Sequence, residues 1–383
     1  MRGHIVKRYE NSYSIILNLG RDPITKQRKQ QWVSVKGTKK DAEKKLSELL
    51  HQLDTGTFVQ PTKYTVANFL EQWLKDYCKA NLAQNTTETY EFFVRKHIVP
   101  VIGQLTLSSL RPEHLQRLYS DKLNGGLGSR SVRYIHVTMH KALKTAVKLG
   151  MIPRNPADSL DVPKVKRHDI QIMNESDIHI FLEYARPTPY YALFYTALFT
   201  GMRRSELLAL RWQDVDLLLG QISVNHSLHQ LHSGEIVIKQ TKTAKGRRLI
   251  ALSPSTIAAL REHRTQQEEL KKSLGATLAD SDFVFCMPDG TPFLPDSITH
   301  AWRKLASRTG LKGIRLHDAR HTHASLMLKQ GIHPKIVQER LGHASIQITL
   351  DTYSHVAPGL QEAAALRFDE IIIPTSERKA LVL

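Results

Sequence analysis

The chain has 383 residues, of which 41% are hydrophobic and 23% charged, so it can bury real cores and is not generically disordered. At roughly 100–200 residues per domain, this length predicts two to four domains. No apolar run approaches the roughly 20 residues needed to span a bilayer. The start of the chain leads into no apolar signal region, so neither a membrane protein nor a secreted one is expected.

Cys78 and Cys286 are the only cysteines, which excludes a disulfide scaffold or a cysteine zinc module and favours a reducing cytoplasm.

The charge is strongly basic and unevenly distributed. Lys and Arg number 54 against 36 Asp and Glu, giving +18 and a pI near 9.8. Residues 1–63 carry 13 basic and 6 acidic side chains, residues 64–169 carry 16 and 9, and residues 170–383 carry 25 and 21. Solubility alone would be served equally well by an even spread. The excess in the first 169 residues therefore indicates a polyanionic partner, most simply a nucleic acid.

The first 60 residues predict a small sheet with one helix. Apolar side chains alternate from Tyr9 to Leu19, and Gln31–Val35 gives a further strand. Thr38 and Asp41 form a capping-box pattern ahead of an apolar helical stripe. We expect a three-stranded sheet whose basic residues read a DNA groove, although a solvated basic face is the plainer alternative. These residues are Lys26, Arg28, Lys29 and Lys36.

Residues 64–160 predict an all-helical domain that follows a linker at 60–63. Thr65 caps the first helix, and further helices are expected at about 86–97, 112–124 and 129–149. Trp73, and Trp32 in the sheet, are expected to be core residues rather than surfaces for stacking bases. An extended basic linker at 161–171 follows, with Lys164, Lys166 and Arg167 as candidate DNA contacts.

A third domain is expected over residues 172–383. Asn174 caps its first helix, 190–199 is apolar enough to be buried, and Gly201 ends that helix before another at 204–210. Strands are expected at 222–224, 235–239 and 249–252, and helices resume from Pro254. The predicted fold class is therefore mainly α with two small β-sheets, an α+β architecture in three domains.

Four short stretches carry residue types suited to chemistry. Each also has an ordinary explanation: a surface Arg–Glu pair, a lysine-rich hairpin loop, or packed histidines. His317 and His321 have the spacing of a zinc pair, but no glutamate follows His317 as metalloprotease chemistry needs, so no metal is expected. The stretches are Thr200–Leu207, Gln240–Arg248, His317–His323 and Leu341–His355.

Together these stretches resemble the tyrosine recombinase, or phage integrase, family, including integrases of temperate phages and conjugative transposons. The resemblance covers nearly the whole chain in the family's three-part layout, more loosely in the N-terminal part. It rests on the Thr-Gly-x-Arg-x-Ser-Glu-Leu run, the Leu-Gly-His triplet and the Thr-x-x-Tyr-Ser-His end. The family's six catalytic positions are filled in order by Arg203, Lys242, His317, Arg320, His343 and Tyr353.

The resemblance implies a role for each side chain, and the roles suit the residue types. Tyr353 forms a 3′-phosphotyrosyl link that conserves the bond energy, so neither ATP nor another cofactor is required. His317 is the base or proton relay, because a phenol with a pKa near 10 needs help to ionise. Arg203 and Arg320 hold the nonbridging phosphoryl oxygens. Lys242 protonates the leaving 5′-oxygen.

Two further residues support this site, and several neighbours do not belong to it. His343 donates another hydrogen bond to the phosphoryl group, and Glu206 orients the arginines from behind. Arg204 and Lys245 are less suitable alternatives to the adjacent arginine and the nearby lysine. The remaining histidines of these stretches, His321, His323 and His355, are expected to pack or to form hydrogen bonds.

The resemblance further implies integration and excision of a mobile element. The partners are then double-stranded attachment sites of core and arm types and the other protomers of a homotetramer that passes through a Holliday junction. An excisionase and a host DNA-bending protein are candidate further partners. No membrane is involved, and the expected location is cytoplasmic, on the nucleoid when bound to DNA. A monomeric type IB topoisomerase and a silent architectural DNA-binding protein are the alternatives. The first would not need an arm domain, and the second would not need the six catalytic side chains.

Overall fold

The structure is a computed structural model that describes residues 3–21, 27–55, 64–165, 171–240 and 246–353, with the single residues 365, 368 and 372. The chain divides into two compact units, Met1–Arg167 and His168–Leu383. The division into three domains at about 60 and 170 stays a prediction.

The first unit begins with the predicted sheet and helix. Strands β1 (Gly3–Tyr9), β2 (Ser12–Arg21) and β3 (Arg28–Lys36) form an antiparallel sheet in the order β1-β2-β3. Helix α1 (Lys39–Asp54) begins at the predicted capping box, in which Thr38 and Asp41 satisfy each other's backbone N–H groups. Apolar residues of the sheet pack on the stripe of α1, as the alternating pattern predicted.

The prediction that Trp32 is a core residue is wrong. Trp32 pairs with Ile16 across the sheet. The core is built instead from Ile15 and Leu17, the two residues on either side of Ile16 in the chain. Because successive side chains of a strand alternate between faces, Trp32 lies on the outer face. It is 50% exposed there, and the Arg8 guanidinium lies 5.2 Å from its ring centroid.

The described part of the first unit from Val66 to Lys148 is built from helical segments, as predicted. Trp73 is buried, which confirms its prediction as a core residue. Its indole N–H donates to Thr145 Oγ1 at 3.2 Å, and its ring stacks on Tyr90. The elements are α2 (Val66–Gln72), a π-helical segment (Trp73–Cys78), α3 (Lys79–Asn81), α4 (Gln84–Phe93), a second π-helical segment (Val94–Ile98), α5 (Val99–Ile102), a 3-10 turn (Leu107–Ser109), α6 (Pro112–Asn124) and α7 (Ser129–Lys148).

The second unit surrounds an aromatic core with helices. The Trp302 ring lies 4.3 Å from that of Phe181 and 5.1 Å from that of Phe194, all three fully buried. Asn174 caps the first helix through a capping box, as predicted. The helices are α8 (Glu175–Ala185), α9 (Tyr191–Thr200), α10 (Arg204–Leu207), a 3-10 turn (Trp212–Asp214), α11 (Pro254–Ser273), α12 (Pro295–Arg308), α13 (Leu316–Lys329), α14 (Pro334–Leu341) and α15 (Ile346–Tyr353).

The strands of the second unit form two sheets rather than the single one expected. β4 (Val215–Asp216), β5 (Gln221–Val224) and β8 (Arg248–Ala251) make one sheet, and β6 (His226–Gln230) and β7 (Ile236–Gln240) make a hairpin. The sequence pattern missed β6. Helix α10 also ends at Leu207 instead of 210, because the N–H groups of Ala209 and Leu210 donate to carbonyls three residues back, not four.

The mainly helical fold class with small sheets is confirmed. Among the described helices, none combines the length and the apolar character that crossing a bilayer requires.

Candidate active site

Five of the six predicted catalytic residues lie on four neighbouring elements of the second unit. Arg203 is the N-cap of α10, His317 and Arg320 lie on α13, His343 follows α14, and Tyr353 is the last residue of α15. The sixth, Lys242, lies in 241–245, outside the described residues between β7 and β8.

A glycine turn sets the entry to this site. Gly201 has a φ of +65°, the left-handed region that favours glycine. A Cβ at this position would come within 2.7 Å of Leu341 and 2.9 Å of His323. The glycine therefore allows the chain to turn from α9 into α10 while α14 packs against the turn.

Both predicted arginines are bonded to carbonyl groups at the end of α14. Arg320 donates to the Leu341 oxygen at 2.7 Å and to the Gly201 oxygen at 2.8 Å. Arg203 donates to the Gly342 oxygen at 3.2 Å. The C-terminus of a helix carries partial negative charge and unpaired carbonyls, so it fixes the two cations. The Leu-Gly-His triplet is thus a structural support for both guanidinium groups.

Glu206 compensates the positive charge from inside the protein. Its carboxylate accepts from Arg203 at 2.6 Å and from Arg248 at 2.9 and 3.2 Å, and its side chain is 3% exposed. Burial raises the pKa of Glu206, but hydrogen bonding and charge attraction from the two arginines outweigh burial and hold it below its usual value. Arg203 remains 38% exposed, so a phosphate can reach it from solvent.

Arg248 was not identified from the sequence, although it lies in the lysine-rich stretch. Its side chain is 6% exposed, and its Nε donates to the Arg340 oxygen at 2.7 Å. Arg340 in turn donates to the Phe199 and Ala251 oxygens. These two arginines tie β8, α9 and α14 together behind the site. Only their position after a lysine-rich hairpin and beside the Leu-Gly-His triplet could have marked them.

His343 is buried and held by two neighbours. Its Nδ1 lies 2.8 Å from Thr349 Oγ1, and its backbone carbonyl accepts from the Gln338 amide. Burial, together with the charges of Arg320 and Arg203, lowers the pKa of His343 to about 3. The imidazole is therefore neutral near pH 7, and its remaining nitrogen is available to a ligand.

The phenol of Tyr353 lies beside a histidine other than the predicted base. Its hydroxyl is 2.9 Å from His321 Nδ1, and the tyrosine ring is buried in a small apolar cluster that includes Ala324 and Leu341. Burial raises the pKa of Tyr353 to about 12, although Arg320 and Arg203 act in the opposite direction. His321 does form a hydrogen bond, as expected, but its partner is the predicted nucleophile.

His317 lies one ring further out. Its imidazole meets that of His321 at right angles, with centroids 4.9 Å apart, and it keeps an exposed edge. Desolvation of the ring, with His321 and Arg320 nearby, lowers the pKa of His317 to about 4. The same helix face thus carries two neutral imidazoles in contact.

Other candidates lie elsewhere or beyond the described residues. Arg204 donates to the Pro295 oxygen and the Thr299 hydroxyl. Arg28, Lys36 and Lys164 are exposed. Lys29 lies within β3. The residues Lys26, Lys166, Arg167 and Lys245 lie outside the described part of the chain, as does His355.

The arrangement is suited to chemistry on a phosphate ester. Exposed guanidinium and neutral imidazole donors can bind phosphoryl oxygens, and a phenol is available as nucleophile. In the part of the chain that the structure describes, no three His, Cys, Asp or Glu side chains come together as a metal site needs.

Comparison with known proteins identifies relatives over almost the whole chain. Residues 171–359 match the model of the phage integrase family, and residues 65–123 match the N-terminal SAM-like domain of phage integrases. The ICEBs1 integrase of Bacillus subtilis is 27% identical over 96% of this chain and 100% of its own. A XerC-like tyrosine recombinase of Caldanaerobacter subterraneus is 25% identical over 96% and 98%.

Solved structures share the fold. The Tn1549 transposon integrase, in complex with transposon right end DNA, superposes with a TM-score of 0.67 at 21% identity, covering 81% of this chain and 100% of that one. A lambda integrase tetramer bound to a Holliday junction gives a TM-score of 0.58 at 17% identity, covering 91% and 94%.

Proposed function

Because the chain belongs to the phage integrase family of tyrosine recombinases, and is therefore a site-specific enzyme of DNA integration and excision, we propose that Tyr353 is its nucleophile. The phenolic oxygen attacks the scissile phosphorus and forms a 3′-phosphotyrosyl link, and the 5′-oxygen leaves. Ligation reverses these steps with a 5′-hydroxyl from the partner strand. The bond energy is kept in the ester, so strand exchange needs no energy source.

The observation that carries this assignment is the convergence of two arginines on the turn after α14. Arg203 and Arg320 bond to the carbonyls of Leu341 and Gly342, and both lower the pKa of the nearby Tyr353. A phosphodiester bound by these guanidinium groups lies within reach of the phenol. Fixed charges that stabilise the phosphorane-like transition state cost no reorganisation during the reaction.

Four further side chains complete the proposed machinery. His343 donates a hydrogen bond to a nonbridging oxygen, and Glu206 keeps Arg203 in orientation. Lys242 protonates the departing 5′-oxygen, an assignment that rests on its place in the family pattern. His317, at the exposed edge of the site, is the base or proton relay for Tyr353, an assignment that also rests on the family pattern.

The protein binds DNA and acts as a multimer, and we infer a finer arrangement from the first unit. Arg28 and Lys36 occupy the same outer face as Trp32, at even-numbered positions of β3. This basic face is suited to accessory arm sites, whereas residues 64–160 and the catalytic domain hold the core site. We propose a homotetramer that passes through a Holliday junction, with an excisionase and a host bending protein setting direction, on the nucleoid in the cytoplasm.

Tyr353→Phe tests the central assignment. The variant loses only the phenolic oxygen, so we expect normal binding to a core site but no covalent complex on a nicked suicide substrate. A covalent band that persists would show that Tyr353 is not the nucleophile. Wild-type protein should recombine paired sites, and efficient relaxation of supercoils without such sites would favour the topoisomerase alternative.

A further inference from the structure

The hydrogen bond between His321 and Tyr353 brings a candidate general base into contact with the phenolic oxygen, the atom that reacts. His321 Nδ1 lies 2.9 Å from the Tyr353 hydroxyl, and the two ring centroids are 5.6 Å apart. This is within the distance over which a general base takes a proton. No other hydrogen bond joins the phenol to a side chain among the residues that the structure describes.

His321 is held in position by its neighbours on α13. Arg320 is bonded to the Gly201 and Leu341 carbonyls, and Thr322 Oγ1 accepts from the Met173 N–H at 3.0 Å. These two anchors fix the backbone of α13 at His321, so they set the direction in which its side chain leaves the helix. The packing of α13 against α15 then brings this side chain to the Tyr353 hydroxyl.

The protonation states suit a proton transfer from the phenol to the imidazole. Burial raises the pKa of Tyr353 to about 12, so the phenol does not ionise unaided near neutral pH. Burial lowers the pKa of His321, with Arg320 and Arg315 acting in the same direction and Asp318 against them. A neutral imidazole carries one free lone pair, which can accept the proton at Nδ1.

We propose that His321 is the general base of strand cleavage, taking the phenolic proton of Tyr353 directly. The Tyr353 O–H bond breaks as the O–P bond forms, and His321 becomes an imidazolium. The P–O5′ bond then breaks, and its oxygen takes a proton from Lys242. In ligation each proton returns along the same route. This inference rests on the proposed function, because it takes Tyr353 as the nucleophile.

The role of His317 changes accordingly. Its ring lies at right angles to that of His321, with centroids 4.9 Å apart, and keeps an exposed edge. It is therefore suited to exchange a proton between the imidazolium of His321 and solvent, or to contact the bound phosphate. The sequence pattern assigns the base to His317, whereas the contact with the reacting atom belongs to His321.

His321→Asn is the sharpest test, because the amide oxygen can accept the phenolic hydrogen bond but cannot take the proton. We expect core-site binding to be unchanged and single-turnover formation of the covalent complex to slow by about 100-fold or more. His179→Asn, an exposed histidine on α8, is the matched control and should cleave at the normal rate. Tyr353→Phe, run alongside, tests the nucleophile separately: its failure to abolish the covalent complex would overturn the proposed function itself.

The pH dependence separates a base from a structural support. Tyr353 of α15 and His343 of the turn after α14 face His321. The other charged or titratable groups that face it are on α13 or at its N-cap: His317, Asp318, Arg320 and the N-cap residue Arg315. Wild-type cleavage should rise with pH only up to the lowered pKa of His321, below 6.5, and then level off. Cleavage by His321→Asn should keep rising, because it depends on direct ionisation of the phenol.

Replacing Tyr353 by a fluorinated tyrosine, whose phenol ionises near neutral pH, gives an independent readout. It should restore most of the rate of His321→Asn at pH 8, because the base is then no longer needed. Absence of rescue would show that the defect is structural and would overturn the proposal. Cleavage by His321→Asn at or above the wild-type rate would also overturn it, because the hydrogen bond would then hold Tyr353 only in the DNA-free protein and take no part in the reaction.

Discussion

Glu206→Gln removes one negative charge from the support of the active site without changing the shape of the side chain. In the wild type this carboxylate accepts from Arg203 and from both terminal nitrogens of Arg248. Glutamine offers a single oxygen acceptor and points two N–H donors at a guanidinium group. Arg203, Arg248 and Arg320 are then left close together without their shared counter-charge.

The expected cost follows from burial and from the bonds that remain. Removing one member of a buried ion pair costs about 3–5 kcal/mol. Arg248 keeps its bonds to the Arg340 and Gly246 carbonyls, and Arg203 is 38% exposed and can be hydrated. We therefore expect the free energy of unfolding to fall by about 3 kcal/mol, the lower end of that range. For a unit of this size, that corresponds to a fall in Tm of about 6–12 °C.

Differential scanning calorimetry of the full chain measures this effect as a shift in the transition of the second unit. Glu183→Gln, which replaces an exposed carboxylate on α8, is the matched control. Its free energy of unfolding should stay within about 0.5 kcal/mol of the wild type. The pH dependence supplies a second check. The folded pKa of Glu206 lies below the ordinary 4.5, so its stabilisation is present above pH 4.5 and is lost as the pH falls through the folded pKa.

The difference in free energy of unfolding between the wild type and Glu206→Gln should therefore become smaller below pH 4.5. A loss of less than about 0.5 kcal/mol at pH 7, or a difference that does not change with pH, would refute the reasoning. Cleavage should fall together with stability, because Arg203 loses the group that orients it.

Three further predictions concern the support of the site, the leaving group and the arm-binding face. Gly342→Ala should lower the free energy of unfolding, measured with urea, by about 1–2 kcal/mol, because alanine disfavours the left-handed φ of this position. The loss should exceed that of Gly310→Ala, whose φ is also positive but which has open space around it. Lys242→Ala should slow cleavage severely, whereas a substrate with a 5′-bridging sulfur should largely escape the defect and Lys245→Ala should cleave normally. Equal slowing of both substrates would exclude Lys242 as the acid. Lys36→Gln should weaken arm-site binding and reduce its salt slope by about 1, while cleavage of isolated core sites is unchanged; an unaltered slope would place the arm contact elsewhere.

Features that depend on neighbouring residues in the chain could be predicted from the sequence. The capping boxes at Thr38 and Asn174 and the helix end at Gly201 follow from contacts within four residues or from one residue's own φ preference. The family pattern likewise predicted Arg203, Arg320, His343 and Tyr353 as site residues without the fold, because residue types and their order suffice for such a match.

Tertiary structure alone decided what these side chains contact. The two arginines bond to carbonyls 139 and 21 residues away in the chain, and the buried partner of Glu206 is 42 residues away. Trp32 faces solvent because strand register, not its apolar character, sets the direction of a side chain. His321 contacts Tyr353 across 32 residues, since the packing of α15 against α13 chooses which imidazole reaches the phenol. A local pattern carries no information about these contacts, because they arise only when distant segments pack together.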